Sequence, residues 1–321
     1  MAKLGLLGCG AWGFNYIHTL YSIPEVTIQS ICDINEDSLR KVKKIYPNLR
    51  ITTNYQELLN DASLDGVIIA TPPHSHYSMA SDFLSQNKAV LVEKPFTLSY
   101  HDAVTLIKLA QKKNTVLMAG HLLEYHPVVP KLERLMTQEH MGQLRYMFLE
   151  RTDLGKIRDD VSVLWDLAVH DLSMVRYLLN KNPLWVAAQG ERYCPHNHYD
   201  LVVITLGFPD NVFVQIQANW VCPIKRRQVV ISGENMTLVF DDIKADYKLQ
   251  LISHNGEITL PKCEKTLPLT NQCLHFVECI KTKSSPRTGS EDILWVLKVM
   301  DLVEQSLVNN GTRLTWHDEK V

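Results

Sequence analysis

The chain has 321 residues, of which 45% are hydrophobic and 21% charged, and its formal net charge is −2. This length suits one large domain or two ordinary ones, and a charge so near zero favours neither nucleic acid nor an anionic membrane as a partner. The N-terminus lacks the features of a secretory signal, and no apolar run approaches the ~18 residues of a membrane span. We therefore expect a cytoplasmic protein.

The seven cysteines are scattered along the chain, and no two of them have C-x-x-C spacing. An odd number of unpaired cysteines is typical of reduced thiols in the cytoplasm, not of a disulfide framework or a zinc site. We expect no metal.

The first 120 residues alternate between apolar runs typical of strands and amphipathic runs typical of helices. The pattern predicts strands at 4–8, 26–33, 65–71, 89–93 and 115–120, and helices at about 13–22, 36–46, 57–61, 75–86 and 99–113. Strands and helices that alternate in this way form a parallel sheet covered on both faces, and right-handed crossovers make it doubly wound. Residues 1–120 are thus predicted to form an α/β domain.

Long, two-faced strands predominate after about residue 120. The pattern predicts strands at 143–151, 184–192, 200–208, 212–220, 227–233, 236–242 and 247–253, and helices at about 127–138, 164–179, 271–282 and 291–309. Residues 121–321 are therefore predicted to form an α+β domain with a large, open-faced, mainly antiparallel sheet, whose C-terminal helix could pack back on the first domain. An open apolar face usually binds another subunit, so we expect a homodimer or homotetramer through this face.

A G-x-G-x-x-G pattern links the first predicted strand to the first helix; it comprises Gly8, Cys9, Gly10, Ala11, Trp12 and Gly13. In a β-α-β unit these glycines allow a tight turn, let a pyrophosphate approach the backbone and let the helix pack closely. Asp33 ends the second strand twenty residues later, where an acid accepts hydrogen bonds from the adenosine ribose. A carboxylate there repels a 2′-phosphate, so NAD is favoured over NADP.

The turn after the third main strand contains Thr71, Pro72 and His76. It leaves the carboxyl edge of the sheet, where ligands bind in doubly wound folds. We expect Thr71 and Pro72 to line the cofactor site. His76 either faces the cofactor or simply lies in the first turn of the next helix.

The segment Glu93-Lys94-Pro95 leaves the next strand at the same edge. Pro95 restricts the backbone of Lys94 and so fixes its direction. A lysine beside a nicotinamide can hydrogen-bond a substrate hydroxyl and stabilise the alkoxide that forms as hydride leaves. The alternative is a solvated surface pair of Glu93 and Lys94. We favour the functional interpretation, with Glu93 near the nicotinamide ribose.

Asp166 and His170 lie four residues apart on the predicted helix 164–179, so they share one face, whereas Asp171 lies on another. A carboxylate next to an imidazole on a mostly apolar helix suggests an oriented base. Two alternatives remain: a buried histidine with a hydrogen bond to Asp166, and a metal pair that would need a third ligand.

Taken together, "GCGAWG", "ATPPHSHY", "VEKP" and "WDLAVHD" resemble the Gfo/Idh/MocA family (glucose–fructose oxidoreductase and inositol dehydrogenase). The resemblance implies a Rossmann domain followed by an open-sheet domain, and NAD- or NADP-dependent chemistry at a sugar or cyclitol carbon. It also implies that His170 is the general base, that Lys94 and Asp166 hold the reacting hydroxyl, and that the Lys94–Pro95 bond is strained or cis.

The run from Gly120 to Asp171 is similar to a branch of that family that acts on nucleotide sugars, such as UDP-N-acetylglucosamine 3-dehydrogenases. This similarity implies contacts of Arg151, Arg158 and Tyr125 with substrate and of Trp165 with the nicotinamide. Two positions depart from the branch, which usually has Pro at Val169 and Asn at Asp153. An acid at Asp153 would be unfavourable near a sugar diphosphate.

The leading hypothesis is an NAD-dependent dehydrogenase that acts on a secondary hydroxyl of a sugar, most simply a nucleotide-activated sugar of surface-polysaccharide biosynthesis. A free-sugar or cyclitol dehydrogenase is the second hypothesis. The third is a cofactor-binding regulator without turnover, which would not need Lys94 and His170 together.

Overall fold

The computed structural model describes residues 1–137, 141–155, 157–158 and 160–317. It divides into two compact units: Met1–Tyr125 with Thr266–Leu294, and His126–Lys265 with the chain from Trp295 on. The boundary predicted after residue 120 lies close to Tyr125. A C-terminal segment, Thr266–Leu294, also belongs to the first unit. Among the helices that the structure describes, none combines the length and apolar character of a membrane-spanning segment.

The first unit is built on a six-stranded parallel sheet with the order β3-β2-β1-β4-β5-β6. Its strands are β1 (Ala2–Leu7), β2 (Val26–Cys32), β3 (Ile51–Thr52), β4 (Gly66–Ile69), β5 (Ala89–Val92) and β6 (Leu117–Ala119), and its helices include α1 (Ala11–Tyr21), α2 (Glu36–Ile45), α3 (Gln56–Leu59), α4 (His76–Ser85) and α5 (Tyr100–Lys113). This order reverses its direction between β1 and β4, which creates a ligand crevice at the carboxyl ends of the strands. The predicted doubly wound Rossmann sheet is confirmed.

The second unit contains a nine-stranded sheet with the order β14-β13-β12-β11-β7-β10-β9-β8-β15. The strands are β7 (Leu144–Leu154), β8 (Trp185–Glu191), β9 (Leu201–Gly207), β10 (Phe213–Asn219), β11 (Val221–Gly233), β12 (Met236–Asp241), β13 (Leu249–Ser253), β14 (Ile258–Thr259) and β15 (Leu314–Thr315), with helices α6 (Val129–Met136) and α7 (Val169–Leu179). Strands β7 and β10 run parallel, and the other described neighbours are antiparallel. The mainly antiparallel sheet is confirmed.

The remaining α-helices of the described chain are α8 and α9. Helix α8 (Pro268–Thr282) belongs to the first unit, and α9 (Ser290–Val308) begins in the first unit and continues in the second. Buried residues of α8, including Cys273 and Phe276, join the apolar core that contains Leu4 and Ile17 of the first unit. The return of the chain to the first unit therefore adds a hydrophobic layer to its core.

The central strand β7 has two different faces. Met147 and Leu149 are fully buried, whereas Phe148 is 43% exposed and Tyr146 is partly exposed. Successive side chains of a strand point to opposite faces of the sheet. One face of β7 is therefore buried, while the other carries accessible aromatic side chains. On that second face Tyr146 packs against Phe148, with ring centroids 4.6 Å apart, and Phe213 of β10 lies opposite Tyr146 in the register.

The glycine turn between β1 and α1 shows why glycine is needed at two of its three positions. Gly8 has φ = +88°, and a Cβ atom added there would lie 2.5 Å from the Ala70 carbonyl oxygen. A Cβ atom at Gly13 would lie 2.1 Å from the Gly8 carbonyl oxygen, which prevents α1 from packing against the turn. At Gly10 a Cβ atom would meet no protein atom within 4 Å. The protein alone therefore does not require Gly10.

This contrast predicts different effects of Gly13→Ala and Gly10→Ala. Gly13→Ala should lower the free energy of unfolding by about 1–3 kcal/mol, because the backbone has to shift. Gly10→Ala should change it by less than about 1 kcal/mol, yet weaken NAD binding roughly tenfold or more by filling space reserved for the pyrophosphate. Urea denaturation and calorimetric NAD titration measure the two effects. Undiminished NAD affinity in Gly10→Ala would contradict this role of the turn.

Candidate active site

The glycine turn of the first unit has the features of a dinucleotide site. Helix α1 begins directly after Gly10, and no side chain caps its N-terminus. The amides of the first turn are thus available for an anionic group. The Asp33 carboxylate accepts the Cys9 amide at 2.7 Å through Oδ2 and the Asn35 amide at 2.8 Å through Oδ1. Each oxygen accepts one N–H in these bonds and retains capacity for a ribose hydroxyl. These residues fit NAD.

Glu93 is a buried carboxylate that joins this turn to the one after β5. Its Oε1 accepts the Trp12 indole N–H at 2.7 Å and the Tyr16 hydroxyl at 2.6 Å, and its Oε2 accepts the Lys94 amide at 3.0 Å. Glu93 is only 5% exposed, and its bond to Tyr16 is buried, whereas its bonds to Trp12 and the Lys94 amide are partly buried. The alternative of a solvated Glu93–Lys94 pair therefore does not describe Glu93.

Tyr16 and Gln272 support Glu93, and neither was predicted from the sequence. The Gln272 side-chain amide donates to the Tyr16 hydroxyl at 2.7 Å. Burial, followed by the neighbouring Glu93 carboxylate, raises the pKa of Tyr16 well above its ordinary value. Tyr16 therefore stays protonated and donates to Glu93. The spacing of Tyr16 one helical turn after Trp12 could have suggested its role, but Gln272 lies on α8, far away in the sequence.

Lys94 follows Glu93 at the carboxyl edge of β5 and is partly exposed. The Lys94–Pro95 peptide bond is cis, in agreement with the resemblance. Gly120, which follows β6, allows close packing here, because a Cβ atom at that position would lie 3.0 Å from Glu93 Oε1. Gly120 thus packs closely against Glu93, whose carboxylate accepts the Lys94 amide at the edge of the sheet that carries the glycine turn.

His76 links the two turns that flank this edge. Its ring is fully buried, with Nε2 at 2.8 Å from the Thr71 carbonyl oxygen and Nδ1 at 2.9 Å from the Pro95 carbonyl oxygen. Burial lowers the pKa of His76, although the two carbonyls favour the protonated ring. Both ring nitrogens thus face backbone oxygens. Direct contacts of His76, Thr71 and Pro72 with the cofactor stay predictions, but His76 can shape the site through these turns.

In the second unit, Asp166 lies in a π-helical turn (Leu164–Ala168) that precedes α7. The predicted helix at 164–179 therefore begins with a wider turn, a feature often found at functional sites. Asp166 Oδ1 accepts Arg158 Nη1 at 3.2 Å, and Arg158 also binds both oxygens of Asp160, at 2.8 and 2.6 Å. Hydrogen bonding to Asp160 and the Asp166 charge raise the pKa of Arg158. His170, the second residue of α7, is partly exposed.

Asp171, the neighbour of His170, forms a buried pair with Arg151. The guanidinium donates through Nε at 2.9 Å and Nη2 at 2.8 Å, and the residues are 8% and 1% exposed. Burial acts against the charged guanidinium, but Asp171 outweighs it and raises the pKa of Arg151. This pair fixes α7 against β7. Because these donors are engaged, the predicted contact of Arg151 with substrate phosphate stays a prediction without support from this geometry.

Two other predicted contact residues have partners within their own units. In the second unit, the Trp165 indole N–H donates to Glu304 at 2.6 Å, and Trp165 is 7% exposed. In the first unit, the Tyr125 hydroxyl lies 3.2 Å from Thr288 Oγ1 and the side chain is buried. These bonds indicate packing roles. Contacts of Trp165 with nicotinamide and of Tyr125 with substrate stay predictions.

The two departures from the nucleotide-sugar branch have simple structural settings. Val169 joins the π-helical turn to α7, and its amide donates to the Leu164 and Leu167 carbonyls. Proline has no N–H for these bonds, so valine lets this chain form a junction that proline could not. The Asp153 carboxylate lies 3.2 Å from Lys225 Nζ in a partly exposed ion pair. The negative charge of Asp153 is therefore balanced by a neighbouring lysine.

Comparison with known protein families agrees with this geometry. Residues 2–121 match the "Oxidoreductase family, NAD-binding Rossmann fold" model, and residues 141–239 match the "GFO/IDH/MocA C-terminal domain" model. The two matches lie in the first and second units, respectively, and together span about two thirds of the chain.

Individual relatives are distant. The chain is 23% identical to D-apiose dehydrogenase of Paraburkholderia graminis over 96% of this chain and 87% of that protein. It is 29% identical to UDP-N-acetylglucosamine 3-dehydrogenase of Acidithiobacillus ferrooxidans over 56% of this chain and 57% of that protein. A solved structure of the latter enzyme has a TM-score of 0.85 at 23% identity, covering 95% of this chain and 97% of that one. The family matches, the doubly wound sheet and the glycine turn place this chain among the NAD-binding oxidoreductases of the Gfo/Idh/MocA family.

Proposed function

We propose that this oxidoreductase interconverts a secondary hydroxyl and a ketone on a sugar, with Lys94, His170 and Asp166 as its catalytic residues. The observation that carries the proposal is the position of Lys94. Its backbone follows the buried Glu93, which is hydrogen-bonded to Trp12 and Tyr16 of the helix that begins the NAD-binding turn. A lysine anchored in this way keeps a fixed position relative to the cofactor site of the first unit.

In the oxidising direction the roles divide as follows. When bound, NAD⁺ supplies the hydride acceptor. Lys94, as an ammonium, donates a hydrogen bond to the reacting hydroxyl and stabilises the developing alkoxide. His170 takes the hydroxyl proton, while the electron pair of the adjacent C–H bond leaves as hydride, so the alcohol becomes a ketone. Asp166, restrained by Arg158, orients His170 or the substrate.

The substrate class we favour is a nucleotide-activated sugar. The 29% identical relative acts on UDP-N-acetylglucosamine. Lys225 balances the charge of Asp153, which removes the main electrostatic objection to a sugar diphosphate. A free sugar or cyclitol is the second candidate, because D-apiose dehydrogenase aligns with 96% of this chain and a myo-inositol 2-dehydrogenase also matches.

A substrate screen with NAD⁺ distinguishes the candidates. UDP-linked amino sugars and hexoses are tested beside free D-apiose, myo-inositol and glucose, and NADH formation is followed by absorbance. The proposal predicts turnover with at least one nucleotide sugar. Turnover with free sugars alone would select the second candidate, and absence of turnover with every compound while NAD binds would favour a regulator.

Removal of either catalytic group should abolish most turnover without loss of cofactor. Lys94→Ala and His170→Ala should each lower kcat by about 10²–10⁴-fold, while NAD affinity changes little. Lys112→Ala and His101→Ala, exposed positions on α5, serve as matched controls. Wild-type turnover in Lys94→Ala or His170→Ala would exclude these roles.

We further propose that the open sheet face forms a homo-oligomer, as a dimer or tetramer. Its support is the accessible aromatic side chains of Tyr146, Phe148 and Phe213 on neighbouring strands. Apolar faces of this kind usually bind another subunit.

Phe148→Glu should dissociate this oligomer, because a carboxylate would be buried without a partner at the interface. Light scattering after gel filtration should show the mass of a single chain. Ile45→Glu, at an exposed apolar position on α2, is the control and should keep the wild-type mass. An unchanged mass for Phe148→Glu, or a monomeric wild type, would exclude the face as the interface.

A further inference from the structure

The connection between β8 and β9 contains a run of metal-binding residue types that the dehydrogenase chemistry does not use. Its sequence is Cys-Pro-His-Asn-His-Tyr-Asp, residues 194–200. We propose that Cys194, His196 and Asp200 bind one transition-metal ion of the zinc class. The expectation of no metal rested on the cysteine spacing and on the missing third ligand beside Asp166 and His170, whereas here one cysteine, one histidine and one aspartate come from a single short run.

The ligand atoms already lie close together. One donor atom from each of Cys194, His196 and Asp200 lies within 4.8 Å of the other two. Donors bound to the same zinc ion at about 2.0–2.3 Å are roughly 3–4 Å apart, so only a small contraction is needed. A thiolate, an imidazole and a carboxylate favour zinc or a similar metal over magnesium or calcium, which prefer oxygen ligands alone.

His196 provides the strongest sign that an ion belongs here. Its Nε2 atom is buried and has no hydrogen-bond partner among the residues that the structure describes. The nearest carboxylate oxygen, Asp200 Oδ1, lies 3.2 Å away, but this close approach lacks the alignment that a hydrogen bond requires. A buried nitrogen without a partner is costly, and a metal ion between the two atoms would satisfy both. Coordination by Nε2 moves the ring proton to Nδ1, so the long 3.2 Å bond from the His198 amide would be lost.

Asp200 is held in place by groups that would surround the ion. Its Oδ2 accepts the amides of Tyr193 at 2.6 Å and Cys194 at 2.8 Å, and its Oδ1 accepts the Trp220 indole N–H at 2.5 Å. Asp200 is fully buried. Such hydrogen bonds orient a carboxylate ligand before the metal binds. The same hydrogen bonds would give Asp200 a structural role without a metal. They do not provide a partner for the buried Nε2 atom of His196.

The fourth ligand can come from His198 or from water. The rings of His196 and His198 have centroids 5.7 Å apart. The group of donor atoms that lie within 4.8 Å of one another comprises Cys194, His196 and Asp200 and does not include His198, so water is the simpler fourth ligand. A full set of protein ligands is typical of a structural zinc site, and a site completed by water is typical of a catalytic one.

The position of the site suggests what the ion would do. The Tyr199 carbonyl, next to Asp200, accepts the Val163 amide at 3.0 Å. Val163 immediately precedes the π-helical turn that carries Asp166. An ion that stiffens residues 194–200 would therefore steady the beginning of the helix that carries Asp166 and His170. Its role is that of a positioning element in the second unit.

Metal analysis of the full-length, tag-free protein tests the site. After dialysis against zinc and removal of loosely bound metal, mass spectrometry should find about one zinc per chain. The cobalt-loaded protein should show a sulfur-to-cobalt charge-transfer band in the near ultraviolet, because Cys194 is a ligand. Chelation should lower the melting temperature of the wild type.

Cys194→Ser and His196→Ala should lose most of the zinc, and their melting temperatures should no longer respond to the chelator. Cys222→Ser and His254→Ala, which alter the same residue types elsewhere in the second unit, should retain it. Retention of one zinc in both Cys194→Ser and His196→Ala would overturn the proposal. Absence of zinc or of the sulfur–cobalt band in the wild type would also overturn it, and that outcome does not depend on whether a variant folds.

Discussion

The buried carboxylate of Glu93 is the constraint on which the cofactor half of the site depends. A carboxylate removed from water is costly unless hydrogen bonds compensate for the lost hydration. Trp12, Tyr16 and the Lys94 amide provide these bonds, and Gln272 holds Tyr16 in turn. One side chain thereby joins α1, the end of β5 and α8. The glycine turn and Lys94 cannot move independently while this network is intact.

The helix motif of the second unit is held by ion pairs, in which an arginine neutralises each of its neighbouring aspartates. Arg158 bridges Asp160 and Asp166 at the surface, whereas Arg151 and Asp171 pair in the interior. The buried pair anchors α7 to β7, since breaking it would leave an unpaired charge in the core. The pair of Arg151 and Asp171 thus fixes the position of the helix that carries the partly exposed side chains of Asp166 and His170.

The sequence predicted the features that depend on local patterns. Buried parallel strands appear as apolar runs, as in the fully buried β4 and β5, and the glycine turn follows from sterics within a few residues. Asp33 was predicted because its distance from the turn is set by the length of one helix and one strand. The Rossmann sheet and the large antiparallel sheet were therefore both accessible from the sequence.

Features that depend on distant residues were not accessible. The bond between Gln272 and Tyr16 spans 256 positions, and the bond between Trp165 and Glu304 spans 139. The two-residue strands β3, β14 and β15 are too short to show a period. The π-helical turn at Asp166 also has no signature in the apolar pattern. The role of His76 could not be predicted either, because one of its two carbonyl partners, Pro95, lies 19 residues away in another turn.

The most direct test is a crystal structure with NAD and the nucleotide sugar that the substrate screen identifies. The account predicts that one sugar hydroxyl lies within hydrogen-bond distance of both Lys94 Nζ and the His170 imidazole, with its C–H bond directed at nicotinamide C4. A productive complex in which other side chains hold that hydroxyl, and in which Lys94 and His170 do not contact it, would contradict the account.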